Sequence, residues 1–116
     1  MIQRRTGGFD ETQPVRFVGG LGLVRVVGQS MEPTLHAGDV LLVRRNRSPR
    51  PGELVVLRLP AGRPLAVKRV LRRDPEGWWV ERDNPQQGVD SWSVGAIPED
   101  DVVAQVLVRV WPFWRG

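Results

Sequence analysis

The stretch "VKRVLRRDPEGWWVER", Val67 to Arg82, sets two runs of β-forming residues on either side of Asp74-Pro75-Glu76-Gly77. Proline at the second position of a four-residue turn presets its φ, and glycine at the fourth suits the exit, so the stretch reads as a β-hairpin. Outward from it, short apolar runs alternate with turn signals: strands are expected at about 22–28, 39–45, 53–59, 64–72, 77–82 and 102–111, separated by "NRSPRPG", "PAGRP" and "DPEG". No long amphipathic helix, internal repeat or low-complexity tract interrupts this pattern. The fold expected is mainly β: a single small domain of short, mostly antiparallel strands forming a folded sheet or barrel. Residues 1–20 carry Gly, Thr, Gln and mixed charge and read as a flexible arm, with the domain spanning 21–116.

A chain of 116 residues with 41% hydrophobic and 26% charged side chains is one ordinary globular domain. It has no cysteine, which excludes disulfides, thiolate nucleophiles and cysteine metal sites, and its one histidine, His36, excludes a multi-histidine metal site. No metal or other cofactor is expected. The net charge of +4 is modest, and the arginines are spread through strand-like runs, so no nucleic-acid partner is expected. No segment reaches the ~18 to 20 apolar residues of a membrane span. The best candidate, "VRFVGGLGLVRVV", is broken by Arg16, Arg25 and glycines. Asp10, Glu11 and Pro14 sit where a secretory signal needs an apolar core, and the expected compartment is therefore the cytoplasm.

Of the seventeen Lys and Arg residues only Lys68 is a lysine. Arginine serves for solvated charge and ion pairs but does not give up its proton, whereas burial tunes a lysine toward the neutral amine. Strand alternation puts Lys68 on one face with Ala66 and Val70, and Arg69 on the other with Val67 and Leu71. Small apolar flanks favour partial burial and a lowered pKa. The commoner fate of a strand lysine is a stem lying on apolar surface with its ammonium in water.

Ser30 follows a run of β-formers, in "VVGQSMEPTLHAGDVLLVRR" from Val26 to Arg45. It reads as a turn residue or as a nucleophile; the latter requires a base, and Lys68 and His36 are the candidates. A histidine in the turn before Gly38-Asp39 is more often structural or solvent-exposed than catalytic. Asp83, Asn84 and Asp90 offer too few oxygens for an obvious hard-cation site, and a structural role is expected, with Asp83 or Asp90 pairing with Arg69. The tryptophans at 78, 79, 92, 111 and 114 are read as core packing or as the wall of a peptide groove.

Three segments in series resemble the type I signal peptidases. "SMEPTL" at 30–35, followed by "GDVLLV", matches their serine box; "VKRV" at 67–70 matches their lysine box; "RDNPQQGVDSWSVGAIPED" at 82–100 partly matches their acidic box. The resemblance implies a Ser-Lys dyad with Ser30 as nucleophile and Lys68 as general base, acting on a precursor protein bound as an extended peptide. It also implies oxyanion support from the backbone around Gly28, Gln29 and Ser30, and supporting roles for Arg69, Asp83, Asn84, Asp90 and Ser91. The chain departs from the pattern at Gly28, where some members supply a hydroxyl, and at Arg82, where glycine is usual. It departs again at Gly88, where a serine orients the lysine, and at Trp92, where an arginine pairs with an acid. Members of the family carry a membrane anchor ahead of the serine box, and no stretch before Ser30 is apolar enough to be one. "EGWWVERDN" and "GVDSWSVGAIPED" are similar to the soluble branch that matures nickel-type superoxide dismutase, which implies removal of an N-terminal extension from that enzyme's precursor. Two alternatives remain at this level: a self-cleaving domain like those of the SOS repressors, and a non-enzymatic basic β-barrel that binds nucleic acid.

Overall fold

The computed structural model describes residues 16–45, 48–60 and 65–112. The apolar runs form β1 (Arg16–Val18), β2 (Leu21–Arg25), β3 (Val40–Arg44), β4 (Leu54–Arg58), β5 (Leu65–Asp74), β6 (Gly77–Glu81) and β7 (Val102–Trp111). They make one antiparallel sheet in the order β1-β2-β3-β7-β4-β5-β6. Helical structure among the described residues is limited to α1 (Ser91–Val94) and a 3-10 turn at Glu99–Asp101. The mainly β, single-domain expectation holds. The "DPEG" hairpin forms as read, with Asp74 paired to Gly77 across the turn. The "PAGRP" turn falls mostly outside the described residues, and the sheet begins earlier than expected. β1 lies inside the stretch read as an arm, joined to β2 by Gly19-Gly20, both at positive φ (62° and 85°). A two-residue turn of that handedness matches strand twist, so the short β1 pairs in register with β2.

The sheet buries apolar side chains on both faces. On one face Val24, Leu41, Val43, Val56, Val67 and Ala104 gather around Met31 and Leu35 from the β2–β3 connection. On the other, Val55, Leu57, Ala66, Val70 and Val80 pack under Trp78 and Ile97. That division follows from the alternation of side chains along β4 and β5, whose central residues are buried on both sides. A bulge in β5 changes the pattern: Val70 pairs with Val80 but Arg72 pairs with Trp79, leaving Leu71 as the extra residue. Leu71 is accordingly exposed, and Arg72 and Arg73 stack on Trp79 and Trp78 at 4.7 and 5.1 Å.

Gly77 is fixed by a close approach. Its backbone has φ +143°, and a Cβ there would overlap the carbonyl oxygen of Ile97, to which Trp78 is tied by reciprocal backbone hydrogen bonds. Gly77→Ala is therefore expected to lower unfolding free energy by roughly 2 kcal/mol or more, through strain and overlap together. Gly52→Ala, also at positive φ (+91°) but with nothing within 4 Å of its Cβ, should cost about 1 kcal/mol. Urea denaturation of both variants checks this, and equal losses would contradict the role of the Ile97 contact.

Candidate active site

The β2–β3 connection leaves the sheet at Val26 and returns at Val40. Val26 and Asp39 close its neck, with the Val26 N–H donating to the Asp39 carbonyl at 2.8 Å and the Gly38 N–H to the Val26 carbonyl at 2.7 Å. Residues 28–35 turn tightly inside it: the Leu35 N–H bonds to the Met31 carbonyl, and Met31 and Leu35 enter the core. This anchors Ser30, which is 5% exposed. His36 sits half-buried in the same turn with its N–H donating to Asp39 Oδ2, a turn role as expected.

Lys68 occupies the middle of β5, opposite Val55 of β4, and is completely buried. The expectation of partial burial understated this: Ala66 and Val70 flank it along the strand and both belong to the second cluster. Arg69, one residue on, points to the opposite side. There its guanidinium makes a two-point contact with Asp83, Nε to Oδ1 at 3.0 Å and Nη2 to Oδ2 at 2.7 Å, while Nη1 donates to the Gly52 carbonyl.

The chain after β6 joins these elements. Arg82 follows the Arg69–Glu81 pair at the end of β6, and two residues further the Asn84 N–H donates to the Ser30 carbonyl at 2.7 Å. Asn84 Nδ2 donates to the Gln29 carbonyl, the Asp83 N–H reaches the Met31 sulfur, and Thr34 Oγ1 donates to Asp83 Oδ2 at 2.5 Å. The loop thus holds the serine turn from 28–35 by backbone and side chain together.

Several supporting residues take places the sequence did not specify. Asp83 pairs with Arg69; Asp90 pairs instead with Arg82, accepts the Arg82 N–H, and caps α1 by accepting from the Trp92 N–H. Ser91 is buried and its Oγ accepts the Val80 N–H, a structural bond inside the fold. The Arg82 guanidinium ties its own loop, to the Asn84 and Pro85 carbonyls. At the departures from the signal peptidase pattern, Gly88 has φ +81° and no hydroxyl to offer, and Trp92 is exposed with its Nε1 donating to Glu81. Of the other tryptophans, Trp78 is core, Trp79 meets Trp92 edge-on at 5.3 Å, Trp111 is exposed, and Trp114 lies outside the described residues. Thr34 and the Met31 sulfur were missed by the sequence reading, because nothing local marks a contact with a residue 49 or more positions away.

A model of the Peptidase S24-like family matches residues 12–106. The chain belongs to that family. Among curated proteins it is 28% identical to mitochondrial inner membrane protease subunit 1 of Mus musculus, over 79% of this chain and 70% of the relative. It is 30% identical to subunit 2 of Schizosaccharomyces pombe, over 78% and 65%, and to subunit 1 of Xenopus tropicalis, over 73% and 66%. The chain spans roughly two thirds of these relatives' length. The matched region contains the serine turn, β5 and the clamping loop, so the peptidase class rests on the same segments that the fold brings together. Among the described residues no helix is long and apolar enough to cross a membrane, and no group of three or more His, Cys, Asp or Glu side chains is placed to hold a metal ion.

The Asp83 carboxyl feels opposing influences. Burial pushes it up, but the hydrogen bonds from Arg69 and Thr34 and the Arg69 charge outweigh this and hold it below the ordinary carboxylate value. A group with a depressed folded pKa stabilises the protein above its unfolded pKa, and this contribution fades as pH falls through the folded value. The pair is part-exposed, so Asp83→Asn is expected to cost on the order of 1 kcal/mol at pH 7. The gap between wild type and variant should close below about pH 4, the range of an unperturbed carboxylate. Urea midpoints from pH 7 to pH 2.5 measure it; a gap constant over that range would place the effect elsewhere.

Proposed function

We propose that the protein is a serine endopeptidase working through a Ser30–Lys68 dyad. The observation that carries the proposal is the complete burial of the chain's single lysine on β5, a strand tied through Arg69 and Asp83 to the loop whose Asn84 N–H holds the Ser30 carbonyl. An amine enclosed by Val55, Ala66 and Val70 loses hydration that an ammonium needs, and this favours the neutral form a general base requires. In the proposed reaction Lys68 Nζ accepts the Ser30 hydroxyl proton as Oγ bonds to the scissile carbonyl carbon. The carbonyl π pair moves onto oxygen, where backbone N–H groups at 28–30 receive the charge. Collapse breaks the C–N bond, the proton passes from Lys68 to the leaving amine, and water attacking the acyl ester under the same base regenerates Ser30. The Arg69–Asp83–Thr34 bonds tie the serine turn to β5, the strand that carries Lys68. Position 88 is glycine and offers no hydroxyl to orient Lys68.

The substrate proposed is an extended N-terminal segment of a precursor protein. The likeness of "EGWWVERDN" and "GVDSWSVGAIPED" to the nickel-type dismutase maturation proteases supports that dismutase precursor as the substrate. The relatives' names supply a second context: they are inner membrane proteases of mitochondria, which supports a precursor-processing role without naming this chain's target.

Incubation of the purified protein with the nickel-dismutase precursor, with the product N-terminus read by mass spectrometry, tests both levels. Ser30→Ala and Lys68→Arg are expected to reduce turnover at least 10³-fold, the latter because a guanidinium does not act as a base at working pH. His36→Ala should retain most activity, and wild-type rate should rise with pH. A Lys68→Arg protein that still cleaves, or a folded His36→Ala protein that does not, would move the base to His36. Cleavage of other precursors but not this one would remove the substrate and leave the dyad.

A further inference from the structure

Both tryptophans of β6 are capped by arginines that also hold a carboxylate. Arg72 lies over the Trp79 ring at 4.7 Å and pairs with Asp74 at 2.7 Å; Arg73 lies over the Trp78 ring at 5.1 Å and pairs with Glu99 at 2.7 Å. In each case the guanidinium sets its flat face on an indole and its charge against an acid. Trp92, on α1, has similar surroundings without the cap. Its Nε1 donates to Glu81 Oε2 at 2.8 Å and its ring meets Trp79 edge-on at 5.3 Å, so a hydrogen bond and a ring contact together fix its plane. The ring is nonetheless 69% exposed, and among the described residues no cation lies over it.

Trp92 walls an open cleft of about 360 Å³ together with Glu81, Arg82, Pro85, Asp90 and Ser93. Arg82 is already engaged: it pairs with Asp90 and donates to the Asn84 and Pro85 carbonyls. Arg69, which faces Glu81 across the ladder, gives its guanidinium to Asp83 and the Gly52 carbonyl. Among the described residues no cation pairs with the Glu81 carboxylate, which makes the cleft a local acidic spot on a chain of net charge +4. The cleft is built on the segment that holds the serine turn. Pro85, in its wall, directly follows Asn84, whose N–H bonds to the Ser30 carbonyl, and from Arg69 the bonds of Asp83 and Thr34 lead back to the same turn.

We propose that this cleft takes a basic side chain of the polypeptide substrate, arginine or lysine, with its cation over the Trp92 ring and beside the Glu81 carboxylate. The inference rests on the peptidase reading of Ser30 and Lys68 and adds to it a feature of the substrate away from the scissile bond. Charge selects the occupant: an acidic side chain would meet Glu81, and an aliphatic one would shield that carboxylate from water without pairing it. An indole already held in one orientation loses little freedom when a ligand stacks on it. In the signal peptidase pattern position 92 holds an arginine, which would repel such a side chain, so the site belongs to this chain's departure from that pattern.

The test has two arms. In the first, the Trp92 indole N–H signal of the isotope-labelled full chain, assigned as the one lost in Trp92→Phe, is titrated with N-acetylarginine amide and with its neutral counterpart N-acetylcitrulline amide. A saturable shift is expected with the arginine compound, and binding about fivefold weaker for the citrulline compound and for the arginine compound on Glu81→Gln. Glu81→Gln keeps an oxygen for the Trp92 bond and removes only the charge. In the second arm, cleavage of the nickel-dismutase precursor is followed. Trp92→Ala and Glu81→Gln should each raise KM about fivefold with little change in kcat, while Trp111→Phe, at an exposed tryptophan elsewhere, should leave both unchanged. Changing the precursor's basic residues near the cut to glutamine one at a time should yield one precursor on which wild type and Trp92→Ala have equal KM. Circular dichroism checks that every variant is folded. Absence of the Trp92 shift, equal binding of the two amides, or an unaltered KM in both variants while the precursor is still cleaved would overturn the proposal and leave the dyad. A dimer by analytical ultracentrifugation that Trp92→Ala dissociates would overturn it in favour of a second copy. Failure of wild type to cleave any precursor, with the arginine shift intact, would remove the peptidase reading and leave the cation site.

Discussion

The hydrogen bond from the Asn84 N–H to the Ser30 carbonyl, 2.7 Å long, joins two parts of the chain that the sheet alone would leave independent. The serine turn belongs to the β2–β3 connection, while Lys68 and Arg69 belong to β5, three places beyond β3 in the order of the sheet. Among the described residues, the segment leaving β6 bonds to both Arg69 and the serine turn. Its three consecutive residues divide the work: Arg82 ties to Asp90, Asp83 spans Arg69 and Thr34, and Asn84 holds the backbone of Gln29 and Ser30.

Around that clamp the charge pattern is consistent. Arg69 and Asp83 satisfy each other on one side of β5, so the ion pair adjoining Lys68 is neutral overall and part-exposed, where it loses little hydration. Lys68 itself points to the buried side, away from that pair. Two basic side chains adjacent in sequence are separated by strand alternation, Arg69 part-exposed and paired, Lys68 fully buried. The chemistry proposed for Lys68 depends on that separation, since an enclosed amine favours neutrality while an arginine at the same place would not.

The described residues cover the sheet unevenly: β4 and β5 are buried at their centres, whereas Val18, Leu23 and Val108 are exposed. The chain from 82 to 101 is anchored to β6 through the Ser91–Val80 bond and the Trp78–Ile97 bridge, and Ile97 packs with Val55, Ala66, Val70 and Val80. Nothing in the described residues extends that packing over Leu23 and Val108. An antiparallel sheet commonly leaves one face to solvent with polar side chains there; here aliphatic residues and arginines occupy it instead.

By itself the sequence determined the strand class, the hairpin at Asp74–Gly77, the exclusion of thiolate and multi-histidine chemistry, and the prominence of Ser30 and Lys68. These depend on residue type, period-two alternation and turn chemistry, which are local. The β1 pairing at Arg16–Val18 escaped because three residues carry too short a period, and its Gly19-Gly20 turn was read as part of an arm. Full burial of Lys68 was understated because alternation names a face, whereas burial depends on what the rest of the chain lays over it. The choice of Asp83 over Asp90 as the partner of Arg69, the bond from Thr34, the diversion of Asp90 to Arg82 and α1, and the exposure of Val18, Leu23 and Val108 were decided by tertiary structure. Each follows from where the 82–101 segment crosses the sheet, a long-range path that no local pattern of side chains encodes.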